Sequence, residues 1–578
     1  MKTRFLALLL VALVPGFVRA AMPIGYTDIE PIWDDVATNK CCIQWYDPPA
    51  DAVKTDVCLV TISGGGYSGV LTDEPLCAQV AKYFTDRGVT CVYLRYRMKK
   101  SSLPYFGISL LDARRGIRLI RSQAAKRGFN PNKIGTFSHS AGSHLSVLLA
   151  TDSKVEQWPE YFNRPGRKGQ EEFRDRGDEL DQKVSPKTNF ALTGAIAYAL
   201  TDGDGTQNAN RGIGASLNPY INLDPANPPA PMCMMHGCND PWSPIASTLM
   251  FRELQKMNVP VEMHLFADQG HGFHGGFKYV RPHDPCASYE RFRERFEEFL
   301  HEIGMLGEKK PAIPLTTRFP SEAAGVTVTS QALWEGRPMP GPKASVAVPK
   351  LTWSVPSPRK APLVQVVFVD PASEAAATAV RRYLNGKGLA VVTVAGRAEA
   401  AVQDLQRAVR LVRAGAAEKG LDPDAIGVMG FGVSGHAAYL LATKPETSFY
   451  EIADETDKLS GAVHWAFPVG LTAPSASGAL TSDDLTFADT KGIPPIMFLL
   501  GSEDRVAAAN SVKAWEELRA AGVQSDLHTI AGDSRGFWQS CTPETAGATW
   551  FQRLLEFFRH EDKTMKRPGF VSLDPTAP

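Results

Sequence analysis

The chain has 578 residues, of which 44% are hydrophobic, and 62 basic residues balance 62 acidic ones. This length exceeds what one hydrophobic core supports and predicts more than one domain. The balanced charge argues against nucleic acid or an anionic membrane as a partner, so we expect a small or neutral ligand.

The first twenty residues are typical of a secretory signal peptide. Two basic residues precede an apolar run over residues 5–17, and a small-residue site follows at 18–20. The run is shorter than the roughly 20 residues that a membrane span needs. We therefore expect cleavage before Ala21 and a secreted or periplasmic protein without a stable membrane span. A retained N-terminal anchor is the alternative.

A glycine-rich segment follows the first apolar strand, which is predicted over residues 57–62. The segment reads Ser63-Gly64-Gly65-Gly66-Tyr67. Glycines leave the backbone N–H groups bare, so such a turn can approach a developing oxyanion. An ordinary turn is the alternative when the segment is taken alone.

A nucleophile elbow is predicted around Ser140. The segment 138–142, Ser-His-Ser-Ala-Gly, follows the strand predicted over 133–137 and opens a helix. A tight turn between strand and helix exposes the serine hydroxyl and needs small neighbours. Ser138 stands where the first glycine of the G-x-S-x-G pattern is expected, so the pentapeptide alone is imperfect. We prefer Ser140 over Ser138 as the nucleophile.

A charged stretch of about thirty residues begins at Lys154 and has no counterpart in the second half of the chain. It is interpreted either as a lid over the pocket or as a solvated surface excursion.

A candidate acid and a candidate base follow two later strands. The strand 232–235 leads to Asp240, and the strand 261–266 leads to His271. The order Ser, Asp, His, with each residue just past a strand, is the order that an α/β serine hydrolase requires. We expect His271 to take the proton of Ser140 and Asp240 to orient His271. Tyr67, His139 and His274 are candidate substrate contacts.

The chain repeats itself. Segment 112–140 matches 404–432 without a gap, and segment 259–273 matches 523–537. Each copy predicts an amphipathic helix that ends at Gly128 or Gly420, then a short strand and a tight turn into another helix. The pattern predicts an α/β fold of two tandem domains, each a mostly parallel sheet with helices on both faces. The predicted organisation is a signal peptide 1–20, a catalytic domain 21–305, a linker 306–360 rich in Pro, Gly and Ser, a degenerate domain 361–562 and a tail 563–578.

The second copy lacks the reactive groups. Gly432 stands in place of the nucleophile, Arg535 in place of the base, and Asp-Pro-Ala-Ser at 370–373 in place of the glycine-rich segment. Asp504 remains where the acid is expected and could pair with Arg535. Because glycine has no hydroxyl and proline no N–H, we expect this copy to be catalytically inactive. Glycan binding, packing on the first domain and dimerisation remain open as its role.

Nine cysteines are too few for a disulfide scaffold, and their pairing is not specified. Cys233 and Cys238 lack a second Cys or His pair at zinc-ligand spacing. We expect no metal site and no cofactor.

The first half resembles the acetyl-esterase branch of the α/β-hydrolases, which includes enzymes similar to acetyl xylan esterases and feruloyl esterases. The resemblance rests on the motifs GGGY, YLRYR, LLDARRGIRLIR, SHSAGSHLS, NDPWSP and GHGF, and it covers about residues 50–300. It implies Ser140, Asp240 and His271 as a catalytic triad, and Gly65, Gly66 and Ala141 around the oxyanion.

The expected function is therefore hydrolysis of small carboxylic esters, such as O-acetyl groups on carbohydrate. Two alternatives remain. One is an exopeptidase of the prolyl-oligopeptidase type, although no long β-rich segment precedes the hydrolase domain. The other is a non-catalytic glycan-binding protein.

Overall fold

The structure is a computed structural model. It describes residues 25–38, 40–68, 71, 73–98, 106–154, 177–200, 215–267, 269–271, 292–307, 313–314, 321–341, 348–531, 538, 540–541 and 550–558. The predicted signal peptide, most of the charged stretch after Lys154 and the C-terminal tail lie outside these residues.

One sheet of sixteen strands runs through both halves of the chain. Its strands are β1 (Asp28–Pro31), β2 (Cys42–Tyr46), β3 (Cys58–Ile62), β4 (Thr90–Arg95), β5 (Ile134–His139), β6 (Phe190–Gly194), β7 (Met232–Gly237), β8 (Val261–Phe266), β10 (Val326–Ala332), β11 (Lys350–Pro356), β12 (Val364–Val369), β13 (Ala390–Ala395), β14 (Ile426–Phe431), β15 (Trp465–Val469), β16 (Ile496–Gly501) and β17 (Ser525–Ile530). Two short strands, β9 (Ile313–Pro314) and β18 (Ser540–Cys541), pair separately.

The helices lie on both faces of this sheet. They are α1 (Glu74–Thr85), α2 (Gly107–Ser122), α3 (Ala124–Arg127), α4 (Ala141–Ala150), α5 (Glu179–Lys183), α6 (Ile245–Lys256), α7 (Phe292–Glu302), α8 (Glu374–Gly386), α9 (Ala401–Gly415), α10 (Val433–Thr443) and α11 (Arg505–Ala520), and residues 550–558 are also helical. Apolar residues of α1 and α7 form one buried cluster, whereas those of α2, α4 and α6 belong to another. The α/β fold with helices on both faces is confirmed.

The two halves, residues 25–307 and 313–558, have the same strand order. The N-terminal half reads β1-β2-β4-β3-β5-β6-β7-β8, and the C-terminal half reads β10-β11-β13-β12-β14-β15-β16-β17. In each half the first two pairings in this order are antiparallel, and the pairings that follow are parallel. Parallel strands are buried on both faces, which is why they appear in the sequence as continuous apolar runs.

The predicted helix ends are explained by backbone geometry. Gly128 ends α3 at φ 76°, and Gly420 ends the matching turn at φ 65°. Both values lie in the left-handed region, where a residue with a Cβ is strained. The helix that the sequence predicts up to Gly128 is divided at Gln123 into α2 and α3.

A buried aspartate makes the same contacts in both halves. Asp112 accepts a hydrogen bond from the Trp33 indole at 2.6 Å and pairs with Arg97 at 2.7 Å. In the C-terminal half, Asp404 accepts from the indole of a tryptophan at 2.7 Å and pairs with an arginine at 2.6 Å; these partners are Trp334 and Arg397. A buried charge needs such partners, so the repeated Asp in the sequence is structural.

Strands β8 and β17 join the two halves as antiparallel neighbours. Leu265 lies opposite Leu527, and His264 lies opposite His528. The two histidines are counterparts in the sequence repeat, and their Nδ1 atoms are 3.1 Å apart. The joint therefore brings the same position of both copies together, as the two-fold interface of a homodimer does.

Part of the predicted linker belongs to the sheet. Strands β10 and β11 lie within residues 306–360, and β11 pairs with β13 over five residues. The alternating segments VTVTSQA and KLTWSVP form these strands despite the Pro-rich and Gly-rich sequence around them. The linker is consequently shorter than the sequence analysis predicted.

Seven cysteines of the described residues form no disulfide and are buried: Cys41, Cys42, Cys58, Cys77, Cys91, Cys233 and Cys238. Among the same residues, no helix combines the length and the apolar character that crossing a membrane requires.

Candidate active site

Ser140 lies in a strained turn between β5 and α4. Its backbone has φ 57° and ψ −125°, and α4 begins at the next residue. The turn leaves no space for larger neighbours. A Cβ on Gly142 would lie 2.4 Å from the carbonyl oxygen of Ile62, and one on Gly64 would lie 2.9 Å from Cβ of Ser140. Close contacts therefore require a glycine at position 142 of the elbow and at position 64 of the loop beside it.

Ser140, His271 and Asp240 form a continuous hydrogen-bonded chain. The Ser140 hydroxyl lies 2.8 Å from Nε2 of His271. The other ring nitrogen, Nδ1, lies 2.9 Å from both carboxylate oxygens of Asp240. Because the three residues come from the ends of three different strands, only the folded sheet brings them together. This arrangement can transfer the hydroxyl proton to the imidazole.

Asp240 is fully buried and ionised. Besides His271, it contacts Nε2 of His236 at 3.2 Å and accepts a hydrogen bond from the Trp242 N–H at 2.7 Å. Burial opposes ionisation, but the electrostatic interaction with His271 and the hydrogen bonds from both histidines hold the pKa of the Asp240 carboxyl well below its ordinary value. Asp240 can therefore orient His271 without competing for its proton.

The glycine-rich loop passes over the elbow in an unusual conformation. Gly65 has φ 138° and Gly66 has φ 62°, both of which favour glycine. The N–H of Gly64 donates to Asp73 at 2.9 Å. Ala141 is the first residue of α4, so its N–H has no partner within the helix. The oxyanion role of Gly65, Gly66 and Ala141 stays a prediction.

His139 is buried and holds the loop of the base. Its Nε2 lies 2.7 Å from the carbonyl oxygen of His271, and its Nδ1 lies 3.1 Å from Asp73. Both ring nitrogens of His139 therefore contact oxygen atoms of neighbouring segments. His139 is a predicted substrate contact, but only 1% of the residue is exposed. Its contacts support the base loop instead.

Tyr67 is also covered. Its hydroxyl donates to the carbonyl oxygen of Ala141 at 2.9 Å and lies 2.9 Å from Nδ1 of His144. Burial lowers the pKa of His144 to about 3, so this ring is neutral. Tyr67 therefore supports the first turn of α4, and no exposed surface remains for the predicted substrate contact. His274, the third predicted contact, lies outside the described residues.

Tyr198 and Trp242 form a half-buried aromatic pair beside the glycine-rich loop. Their ring centroids are 4.3 Å apart, and the Tyr198 hydroxyl donates to the carbonyl oxygen of Gly66 at 3.2 Å. Trp242 also follows directly on the Asp240 turn, to which its N–H is bonded. Neither ring is among the site residues predicted from the sequence.

Ser138, which replaces a glycine of the usual motif, fits without strain on its neighbours. Its buried hydroxyl lies 3.4 Å from the Ser143 hydroxyl and 3.5 Å from the carbonyl oxygen of Leu192. In the C-terminal half, a Cβ on the matching Gly430 would lie 2.0 Å from the carbonyl oxygen of Ser434. The two elbows therefore differ in how closely the following helix approaches the strand.

The C-terminal half retains an elbow without a hydroxyl. Gly432 has φ 59° and ψ −118°, nearly the backbone conformation of Ser140. The glycine-rich loop is replaced by the tight turn 370–373, in which the N–H groups of Ala372 and Ser373 donate to the Asp370 side chain. Those N–H groups are therefore engaged within the turn.

Asp504 caps a helix. Its carboxylate accepts a hydrogen bond from the N–H of Ala507 at 3.1 Å, in the first turn of α11. Such a cap satisfies one of the N–H groups that a helix start leaves unpaired. The predicted partner Arg535 lies outside the described residues, so the pairing of Asp504 with Arg535 stays a prediction.

A buried polar cluster at the joint of the halves has the residue types of a metal site. Ligand atoms of Cys233, Glu262 and His264 lie within 4.8 Å of one another. However, both ring nitrogens of His264 already contact protein atoms: Nε2 lies 2.7 Å from Glu262, and Nδ1 lies 3.1 Å from His528. These contacts account for the ring without a metal ion. The expectation of no metal site stays a prediction.

Two supporting residues, His236 and Asp73, are not among the site residues predicted from the sequence. His236 lies four positions before Asp240, inside a motif that was singled out for the aspartate alone. Asp73 lies in the segment Thr-Asp-Glu-Pro, which carries no recognisable motif. The spacing could have indicated His236, but the contact between Asp73 and His139 depends on the tertiary structure.

Two curated proteins are similar to short parts of this chain. An acetylxylan esterase from Xylanibacter ruminicola is 28% identical over 128 residues, which is 22% of this chain and 25% of the relative. Endo-1,4-beta-xylanase B from Butyrivibrio fibrisolvens is 35% identical over 120 residues, 20% of this chain and 18% of the relative. The chain thus matches a quarter or less of these relatives' length.

Solved structures resemble about half of the chain. An acetyl ester-xyloside bifunctional hydrolase from Caldicellulosiruptor lactoaceticus matches with a TM-score of 0.36 and 21% identity, covering 49% of this chain and 99% of its own. Thermogutta terrifontis esterase 2 phosphorylated by paraoxon matches with a TM-score of 0.37 and 23% identity, covering 50% of this chain and 98% of its own.

A family model matches both halves. The BD-FAE model covers residues 43–254 and 376–513, which together make up more than half of the chain. The first matched range includes Ser140 and Asp240, and the second includes Gly432 and Asp504. The chain belongs to the BD-FAE family of α/β-hydrolase-like esterases.

Proposed function

We propose that this protein is an exported serine hydrolase that removes O-acetyl or similar small acyl groups from carbohydrate. The observation that carries the proposal is the bridging position of His271, 2.8 Å from the Ser140 hydroxyl and 2.9 Å from the Asp240 carboxylate. Nucleophile, base and orienting acid are within hydrogen-bond distance without any movement of the chain.

The proposed reaction proceeds through an acyl-enzyme. Ser140 Oγ attacks the ester carbonyl carbon while Nε2 of His271 takes the hydroxyl proton. The tetrahedral intermediate collapses, the carbon–oxygen bond to the alcohol breaks, and His271 returns the proton to the leaving alcohol. Water then attacks the acyl-enzyme with His271 again as base, which releases the carboxylic acid and restores Ser140. Asp240 stabilises the imidazolium in both steps.

The proposed oxyanion donors are the N–H groups of Gly65, Gly66 and Ala141. The positive φ values of both glycines and the position of Ala141 at a helix start support this role, because unpaired N–H groups and the helix dipole both favour a developing negative charge. The aromatic pair of Tyr198 and Trp242 lies next to this loop and is the proposed wall of the substrate pocket.

The substrate class is proposed from three observations. The relatives include an acetylxylan esterase and a xylanase, the N-terminal sequence has the pattern of a secretory signal, and the overall charge is balanced. A neutral, acylated polysaccharide outside the cell fits all three. The chain matches only part of each relative, so the substrate is an inference for this chain.

We propose further that the C-terminal half arose by tandem duplication and is catalytically inactive, and that the domain limits lie near those predicted, except for the shorter linker. The identical strand order and the repeated Asp112 and Asp404 contacts support the duplication. Gly432 in place of the nucleophile and the tight turn 370–373 in place of the glycine-rich loop support the inactivity.

The test is hydrolysis by the full mature chain. The wild type should release acetate from a chromogenic ester and from acetylated xylan, and a fluorophosphonate probe should label it once per chain. Ser140→Ala should lower turnover by about 10⁴-fold or more and abolish labelling. Equal activity in Ser140→Ala, or cleavage of dipeptidyl amides without ester turnover, would contradict the proposal.

A further inference from the structure

The loop that carries Asp240 and the loop that carries His271 are hydrogen-bonded to each other. The Cys238 N–H donates to the carbonyl oxygen of Phe266 at 2.8 Å, and the Asn239 N–H donates to that of Gln269 at 2.9 Å. Asp240 is the residue after Asn239, and Gly270 alone separates His271 from Gln269. A displacement of either loop therefore moves the other, and with it the distance between His271 and Ser140.

Both loops are also held from the C-terminal half. The guanidinium Nη1 of Arg519, on α11, donates to the carbonyl oxygen of Cys238. The carboxylate of Asp526, on β17, accepts a hydrogen bond from the Ala267 N–H at 2.6 Å. One contact lies two residues before Asp240 and the other four residues before His271. The second half thus bonds to both loops close to their functional side chains.

The same interface contains a mirrored pair of contacts. Gln255 Nε2 donates to the carbonyl oxygen of Ser502 at 2.5 Å, and Glu262 accepts from the Ala531 N–H at 3.2 Å. Gln255 follows Asp240 by as many positions as Arg519 follows Asp504, so the two donors are counterparts. The mirrored contacts hold the corresponding loops of the C-terminal half. The elbow residue of that half is Gly432, which has no hydroxyl for a base to deprotonate.

We propose that the C-terminal half positions the acid and base loops of the N-terminal site, with Arg519 and Asp526 as its positioning residues. This inference rests on the proposed function and assigns a role to the half that lacks a nucleophile. Arg519 acts through the Cys238 carbonyl and Asp526 through the Ala267 N–H, so neither touches substrate. A displacement of His271 from Ser140 slows the chemical step more than it weakens substrate binding.

The experiment compares matched variants of the full mature chain. Arg519→Met keeps the apolar stem and removes the bond to Cys238, and Gln255→Met does the same on the mirrored side of the interface. Asp526→Ala removes the acceptor of Ala267, and Asp526→Asn retains an acceptor oxygen. The measurements are kcat and KM on a chromogenic acetate ester, the rate of fluorophosphonate labelling, circular dichroism and Tm.

The proposal expects a fall in kcat and labelling rate of about tenfold to a hundredfold in Arg519→Met and Asp526→Ala, because small misplacements of catalytic groups cost this much. KM should change little in these two variants, and Asp526→Asn should retain most of the wild-type rate. Gln255→Met should keep the wild-type kcat, although its Tm should fall by about as much as that of Arg519→Met. If Arg519→Met does not fold, the comparison of Asp526→Ala with Asp526→Asn carries the test.

Three results would overturn the proposal: wild-type kcat in Arg519→Met and Asp526→Ala, an equal loss in Gln255→Met, or a loss confined to KM. A wild type that neither turns over ester nor reacts with the probe would instead refute the proposed function, and the positioning role with it. An active wild type with unaffected variants would refute the positioning role alone.

Discussion

The contact of His139 with the base loop can be tested by a single substitution. His139→Phe keeps an aromatic ring against His271, whose ring centroid is 4.9 Å away, and removes the bonds to the His271 carbonyl and to Asp73. Asp73 still accepts a hydrogen bond from the Gly64 N–H, so its carboxylate keeps one partner. The substitution therefore loosens the loop of His271 with little change in packing.

The expected loss follows from the bond that is removed. A side-chain hydrogen bond contributes about 0.5–1.5 kcal/mol, and more when one partner is charged. If the productive position of His271 is destabilised by about 1–2 kcal/mol, the fraction of molecules that hold His271 in this position falls roughly 5- to 30-fold. We expect this fall in kcat/KM on a chromogenic acetate ester, with most of it in kcat.

The C-terminal half provides the matched control. His436 Nε2 lies 2.9 Å from the Asp484 carboxylate, which also accepts hydrogen bonds from Thr481. His436→Phe should lower Tm without changing kcat/KM. Activity of His139→Phe within about twofold of the wild type, or an equal loss in His436→Phe, would refute the argument that this bond positions the base.

Two further predictions concern the C-terminal half and the joint. Gly432→Ser in the Ser140→Ala background should not restore fluorophosphonate labelling, because the turn 370–373 engages its own N–H groups and offers no oxyanion site; labelling of the double variant would contradict this. Burial raises the pKa of Glu262 to about 8. The folded protein therefore holds a proton that the unfolded chain loses near pH 4.5, and stability falls between about pH 4.5 and pH 8 at up to about 1.4 kcal/mol per pH unit for this group. Glu262→Gln should flatten the fall in free energy of unfolding measured by denaturant titration at pH 5, 7 and 9, and an unchanged slope would refute it.

The sequence could predict those features that depend on local pattern. Strand β8 occurs at the predicted residues, and β3, β5 and β7 begin within one residue of their predicted starts. Ser140, Asp240 and His271 could be selected because each directly follows an apolar strand. Their role in catalysis stays a prediction, although the structure brings the three side chains into contact.

What could not be predicted depends on contacts between distant segments. The Pro-rich and Gly-rich composition of residues 306–360 predicts a linker, although the alternating segments of β10 and β11 within it form strands. A substrate contact by Tyr67 or His139 would need an exposed ring, whereas both rings are buried by segments far away in the chain. The pairing of β8 with β17 could not be predicted either, because the sequences of both strands are typical of buried strands and do not indicate their partner.

The antiparallel pairing of β8 with β17 also protects the sheet from association with other chains. A strand at the edge of a sheet presents unpaired N–H and C=O groups that invite a further strand to add. In this chain, each half covers the inner edge of the other, and the outer edges are the short strand β1 and the polar strand β10. The half that lacks a nucleophile thus serves as a permanently attached subunit, which keeps the joint formed at any protein concentration.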